Sequence, residues 1–260
     1  MTPDWQLPPG VDRGLRDYFA SAEMVRGYDG QMAASALAAA DIAFCEAAFP
    51  TPGRLVDLGC GTGRLATHFA ARGFDCVGVD LSDTMLTQAR VNAAARGVAV
   101  TWHAGNLVDL GGLAAASFDY AASLFSTLGM VRGAGHRAAA VAEVARLLRP
   151  GGRFVLHVHN RSFRGLGLRR VAALAAKTLL GRADAGDVTM PQAYAGAPLT
   201  LHHFTRRGAV ALLEAHGLRV TGVHAVSVHG RVRPATWRDG VNAYGYLLAA
   251  ELTPAAAARG

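Results

Sequence analysis

The sequence predicts an α/β domain built on a doubly wound sheet, and three observations carry that prediction. Short apolar strands alternate with helical stretches from residue 50 onward, a glycine-rich turn closes the first strand and opens a helix, and an acidic residue ends the second strand. Such alternation places helices on both faces of a largely parallel sheet. The chain has 260 residues, 51% of them apolar and 17% charged, enough to bury one substantial core and too apolar for global disorder.

Ala33 to Phe49 is alanine-rich, stops at Pro50 and Pro52, and reads as a helix closing an N-terminal helical cap segment of residues 1–49. Leu55-Val56-Asp57-Leu58 is an apolar run halted by Gly59, as suits a strand buried on both faces. Thr62 to Ala71 sets Leu65, Ala66 and Phe69 on one side of a helix that ends before Gly73. Cys76 to Asp80 is a second strand. Ser82 caps the helix after it, with Asp83 in the first turn and Met85, Leu86 and Ala89 as its buried face. Val98 to Trp102 and Phe118 to Leu124 are the third and fourth strands, a helix follows around Ala138 to Leu148, and Pro150-Gly151-Gly152 turns into a fifth strand, Arg153 to Val158. Residues 160–202 then break the rhythm. They carry no strand pattern, only a basic helix from Leu166 to Leu180, and read as an insertion over the ligand edge of the sheet. A helix capped by Thr205 runs to His216-Gly217. Val220 to Val228 and Tyr244 to Ala250 are two final strands of a domain spanning 50–252, and the tail Ala255 to Gly260 reads as frayed.

Composition narrows the setting. The start, Met1 to Trp5, lacks the basic and apolar regions of a signal peptide, and no stretch reaches 18 apolar residues. Cys45, Cys60 and Cys76 have no metal-ligand spacing and are odd in number, so a reducing cytoplasm fits best. The net charge of +7 is local: Arg161, Arg164, Arg169, Arg170, Lys177 and Arg182 lie in one stretch without an acid. Phe163 is the only aromatic there, which argues against a base-stacking nucleic-acid surface and leaves a solvated face or a surface for an anionic or lipid-linked partner.

Gly59, Gly61 and Gly63 allow a tight turn and a close backbone approach to a ligand. A dinucleotide fingerprint beginning at Gly59 requires glycine at 64, where this chain has Arg64, and no Gly-Lys-Ser/Thr follows for a P-loop. Asp80 ends the second strand 21 residues after Gly59, where a carboxylate can accept hydrogen bonds from ribose hydroxyls. Together these features specify an adenosine-bearing ligand without a demanding pyrophosphate site.

Over residues 50 to 252 the sequence resembles the class I S-adenosylmethionine-dependent methyltransferases. The resemblance rests on Val56-Asp57-Leu58-Gly59-Cys60-Gly61-Thr62-Gly63-Arg64, on Val79-Asp80-Leu81-Ser82, on Ala104-Gly105-Asn106-Leu107, on Phe118 to Phe125 and on Leu148-Arg149-Pro150-Gly151-Gly152-Arg153. It implies a Rossmann-like sheet of seven strands with the last antiparallel, and S-adenosyl-L-methionine as cofactor. Cofactor-binding residues would be Tyr28, Asp57, Gly59, Cys60, Gly61, Gly63, Asp80, Leu81, Asn106, Leu107 and Ser123. Asn106 stands where an aspartate is commonest, and its side-chain oxygen can still accept from an adenine amino group. Tyr28-Asp29 resembles a pair that closes over the methionine end.

The implied activity is methyl transfer to an oxygen, nitrogen or carbon nucleophile of a small metabolite by in-line displacement, with a lipid-linked acceptor as the second choice. Such chemistry asks for geometry and exclusion of water, and for a base only if the acceptor arrives protonated. His157 and His159 alternate on the fifth strand, so both face one side, and His203 returns from the insertion with His202 on the opposite side. His157, His159 and His203 are the candidate bases, and no carboxylate at ligand spacing argues for a metal. A cofactor-binding partner protein without turnover and an NAD-dependent oxidoreductase are the competing classes. Residues 160–200, with Met190 to Tyr194 as an apolar segment, are expected to form an acceptor-recognising cap.

Overall fold

The structure, a computed structural model, describes residues 7–20, 22–182, 184–193 and 197–254. Met1 to Trp5, Tyr194 and the tail Ala255 to Gly260 lie outside the described residues, as do the expectations attached to them. The chain opens with helices α1 (Arg13–Ala20), α2 (Ala22–Ala33) and α3 (Ala36–Ala48), the last capped by Ser35, whose hydroxyl accepts from the Ala38 amide. That cap starts the helix expected from Ala33 three residues later, at Ala36.

The alternating part follows: β1 (Arg54–Leu58), α4 (Arg64–Ala70), β2 (Asp75–Asp80), α5 (Asp83–Ala95), β3 (Thr101–Ala104), β4 (Phe118–Ser123), α6 (Thr127–Met130), α7 (Ala134–Leu147) and β5 (Leu148–His159). Ser82 caps α5 by accepting from the Met85 amide at 3.2 Å. Strand β3 starts three residues later than expected, because the Val98 amide is spent on the Ala93 carbonyl at the end of α5.

After β5 come a 3-10 turn (Arg164–Leu166), α8 (Leu168–Leu179), β6 (Asp187–Ala193) and β7 (Ala197–His202). The chain then completes α9 (Arg206–Glu214), β8 (Leu218–Val226), β9 (Val232–Pro234), α10 (Asp239–Asn242) and β10 (Gly245–Leu252). The main sheet has the order β3-β2-β1-β4-β5-β10-β8-β9. Strands β1 to β5 are parallel, and β10 runs antiparallel to both β5 and β8, as the resemblance implies. The expected seven strands become eight because a turn at Ser227 to Gly230 folds Val232–Pro234 back onto β8. Three residues ending in proline, with one apolar side chain, carry no strand signature.

A second correction concerns the insertion. Strands β6 and β7 form a separate antiparallel hairpin where no strand was expected. Pro191 lies within the first strand and the pair joins only itself, so the segment carries no continuous sheet-forming run. Its alternation is nonetheless regular: Val188, Leu199 and Leu201 are buried, while the Thr189 and Thr200 hydroxyls meet outside at 2.9 Å.

The two faces of the main sheet carry separate cores. Val56, Leu58, Val77, Val79, Leu156, Val158 and Leu248 pack against α7 and α9. Leu55, Cys76, Tyr120, Ala122, Val155 and Leu247 pack on the other face with Cys45 of α3 and Leu65 and Phe69 of α4. All three cysteines are unpaired and buried. Among the described residues, no helix is long and apolar enough to cross a membrane.

Candidate functional site

The site begins where β1 stops. The Gly59 and Cys60 amides both donate to the Val79 carbonyl, at 2.8 and 2.9 Å, so the turn is tied across to β2. Gly59 has φ +75°, and a Cβ there would lie 2.2 Å from Cγ2 of Thr127. Gly63 has φ +81°, precedes α4, and would collide at 2.4 Å with the Trp102 ring. Both positions therefore need glycine for conformation and for space. The Asp29 carboxylate accepts from the Thr62 hydroxyl and, at 2.8 Å, from the Asn92 amide, which fastens α2 to the turn and to α5. Tyr28 is thereby set over Gly61, with its ring 3.6 Å from where a Cβ would be.

Asp80 ends β2 almost fully buried. One oxygen accepts from the Gly61 amide at 2.8 Å and the other from the Ser82 amide at 2.9 Å. Burial pushes its pKa up, opposed by those backbone amides and that of Leu81. Burial likewise raises Asp57 to about 7, against the Arg64 guanidinium and the Ala66 amide. Arg64 itself reaches across to α3, donating to the Ala38 carbonyl at 2.6 Å.

These groups share one pocket. Asp80, Leu81, Asn106 and Leu107 line one end, and Asp57, Gly59, Cys60, Gly61 and Tyr28 line its middle. Asn106 donates to the Pro9 carbonyl at 2.8 Å and accepts from the Val108 amide at 3.3 Å, so the segment before α1 closes this end. Ser123 does not line the pocket: it is buried on β4, and Leu124 and Phe125 line the wall in its place. Phe125 and Ser126 both have left-handed backbones, φ 52° and 62°, a strained pair that the Ser126 amide fixes by donating to the His157 carbonyl at 3.1 Å.

The three candidate histidines occupy different places. His157 and His159 share a face of β5, with ring centroids 6.0 Å apart. His157 is fully buried beneath α3, its Nδ1 2.7 Å from the equally buried Asp41 carboxylate, and does not reach the pocket. Two residues further along the strand, His159 lines the pocket wall. His159 packs edge-on against His203, centroids 5.2 Å apart, and against Tyr244 at 4.8 Å. Its Nε2 is buried with no hydrogen-bond partner among the described residues. Burial, reinforced by His203 and His157, holds its pKa well below the usual histidine range, so the ring is neutral near pH 7. His203 stands behind His159, outside the pocket lining, and burial lowers it to about 4. His202 points the other way, to Asp187 at 2.8 Å.

The opposite wall was invisible to the sequence reading. Val11, Leu15, Met130, Val131, Met190, Leu199 and Leu201 roof the pocket, joining α1, α6 and the β6–β7 hairpin in one apolar cluster. The alternation of Leu199 and Leu201 around Thr200 was the available signal, too short to be recognised beside Pro191 and Pro198. Arg132 clasps this roof. Its backbone amide donates to the Gly10 carbonyl at 2.7 Å, and its guanidinium reaches Asp12 at 3.2 Å and Asp187 at 3.0 Å. Partly exposed pairs of this kind contribute about 1 kcal/mol together. Arg132→Ala is expected to speed amide exchange in β6 and β7 about fivefold while leaving β1 and α4 unchanged, as read by hydrogen-exchange mass spectrometry.

Comparison with known proteins agrees with this geometry. Residues 55–152 match the family model described as a methyltransferase domain. A ubiquinone biosynthesis O-methyltransferase of Aromatoleum aromaticum is 32% identical over 111 residues, covering 43% of this chain and 46% of that protein. The chain thus matches a little under half the length of this curated relative. Among solved structures, a SAM-dependent methyltransferase of Methanosarcina mazei superposes with a TM-score of 0.64 at 22% identity, covering 81% of this chain and 97% of the other. A 1,6-didemethyltoxoflavin-N1-methyltransferase of Burkholderia thailandensis, solved with bound 1,6-didemethyltoxoflavin and S-adenosylhomocysteine, gives 0.63 at 22% identity, covering 92% of this chain and 88% of the other. At such identities the two structures share the fold.

Proposed function

We propose that this chain, whose residues 55–152 match a methyltransferase-domain model, is a class I S-adenosylmethionine-dependent methyltransferase that methylates an oxygen, nitrogen or carbon nucleophile of a small, uncharged, largely apolar metabolite. The observation that carries this reading is the continuity of one pocket from the glycine turn and Asp80 to a group of apolar side chains with His159 in its wall. When bound, the cofactor supplies a methyl group on a sulfonium that departs as a neutral thioether. Asp80, Leu81, Leu107 and Asn106 would hold its adenosine end, and Gly59, Cys60, Gly61, Asp57 and Tyr28 its amino-acid end. The cradle fits such a group, since the glycine turn and the Asp80 carboxylate both lie in the pocket wall, with Gly59 and Gly61 in left-handed conformations.

Met130, Val131, Met190, Leu199 and Leu201 exclude water and seat the acceptor, with Phe125 and Tyr244 alongside. As the acceptor's heteroatom bonds to the methyl carbon and the carbon–sulfur bond breaks, the acceptor's proton would pass to the imidazole of His159 in the pocket wall. His157 and His203 stand behind that ring as packing partners, and the roof serves as the cap over the acceptor. The apolar chamber also favours a second reading, an acceptor linked to a lipid tail.

Isothermal titration is expected to give binding of S-adenosylmethionine and S-adenosylhomocysteine and none of NAD, whose fingerprint glycine is replaced by Arg64. NAD binding tighter than S-adenosylhomocysteine would refute the reading. Cofactor binding with no methylated product across hydroxylated and amine-bearing metabolites would instead mark a partner protein without turnover.

A further inference from the structure

Seven large apolar side chains are strongly exposed among the described residues: Val91, Leu168, Leu179, Leu180, Val228, Trp237 and Val241. Six of them come from segments at one edge of the main sheet. The insertion leaves the carboxyl end of β5, the β8–β9 turn follows the end of β8, and the loop holding Trp237 and Val241 leads into β10, which starts at that same edge because it runs antiparallel. Only Val91, on α5, lies elsewhere. Asn160 ties two of these segments together by donating to the Gly240 carbonyl at 3.0 Å and the Ala243 carbonyl at 2.9 Å.

Helix α8 shows why the exposure is organised. Leu174 alone is buried and anchors the helix to the domain, whereas Leu168 and Leu179 are 85% and 89% exposed and Leu180 77%. At helical spacing, Leu168, Ala172, Ala175 and Leu179 form one continuous apolar stripe, turned away from the anchor. Arg164, before the helix, and Arg169, at the border of the stripe, are exposed, and Arg170 is exposed on the side nearer the anchor; none makes an ion pair with a described residue. Asp184 is engaged by Lys177 at 2.7 Å and Arg182 at 3.0 Å, leaving the stretch from 161 to 182 strongly positive.

We propose that α8, together with Trp237 and Val241 exposed at the same sheet edge, docks this edge of the protein on an anionic lipid surface. An exposed leucine stripe flanked by arginines is the pattern that lies in a headgroup layer, where the apolar side chains enter the acyl boundary and the cations meet anionic headgroups. Charge complementarity selects the anionic bilayer over a neutral one. The leucines themselves would gain nothing from nucleic acid. Docking would turn the pocket edge toward the bilayer, where an apolar acceptor dissolves. The surface is read from exposure and charge alone, so its failure and the failure of the methyl-transfer reading are separate events.

Flotation of the full chain tests this with vesicles of phosphatidylcholine alone and of phosphatidylcholine containing roughly 30% phosphatidylglycerol. The expected result is flotation with the anionic vesicles only, weakened by salt, and reduced about tenfold in either Leu168→Glu/Leu179→Glu or Arg169→Glu/Arg170→Glu. S-adenosylhomocysteine affinity checks that each variant is folded. Should a variant unfold, quenching of Trp237 emission by brominated anionic lipid, lost in Trp237→Phe, decides the same point. No flotation of the parent chain, or equal flotation of parent and folded variants, overturns the proposal. So does a dimer in sedimentation velocity that the leucine variant abolishes without any vesicle binding, or duplex DNA binding lost only in the arginine variant.

Discussion

Asp80→Ala is expected to weaken S-adenosylhomocysteine binding by about 1.5 to 3 kcal/mol, roughly tenfold to 150-fold in affinity, the usual worth of hydrogen bonds to a charged acceptor. The structure adds a reason for the upper end. Each Asp80 oxygen already accepts a backbone amide, from Gly61 and from Ser82, so the carboxylate both faces the pocket and holds the turn beneath it. Its removal leaves two buried amides without an acceptor, and thermal stability should fall as well. Asp80→Asn separates the two contributions. It keeps one acceptor oxygen for the turn and loses the charge, so its melting temperature should lie nearer the parent value while ligand affinity remains low. Titration calorimetry and thermal melts on both variants check this, and parent-like affinity in Asp80→Ala would show that the ribose-side assignment is wrong.

The elements that position this end of the site were legible because their causes are local. Leu55 to Leu58 is a continuous apolar run, Gly59 and Gly63 are required by conformation and space, and Ser82 and Thr205 cap helices through their own hydroxyls. The antiparallel last strand came from the family resemblance and not from any residue in it. Illegible features depend on contacts between distant segments. Nothing in Val11, Leu15 or Met130 reveals that they meet Leu199 and Leu201 over the pocket, and Arg132 gains its clasp only when Asp12 and Asp187 are brought together. The histidines lie between these cases. Period-two alternation placed His157 and His159 on one face, yet which of them reaches the pocket is a tertiary fact: Asp41 of α3 covers His157, and His159 lines the pocket.

That difference in cover makes His159 the position with the largest expected effect on turnover. His159→Ala should lower kcat by about a hundredfold to ten-thousandfold, the range for loss of a positioned base, with S-adenosylhomocysteine affinity unchanged. His159→Gln should be nearly as slow, since an amide fills the space without accepting the proton. The pH profile distinguishes a base from a packing residue. Burial depresses the folded-state pKa of His159, so the base form is retained as pH falls through the ordinary histidine value near 6.5 and is lost only below it. The acid limb of kcat/KM should therefore lie below pH 6.5, and an NMR titration of the imidazole should place the ring's own pKa on the same side. His203, lowered to about 4 and standing behind that ring, should tolerate asparagine with less than about a tenfold loss, because it supports the ring without reaching the pocket. Turnover measured on whichever acceptor a metabolite panel yields decides the matter. A His159→Ala enzyme within about threefold of the parent kcat would mean that the acceptor loses no proton to this side chain, leaving the apolar roof and the geometry of the pocket to account for the reaction.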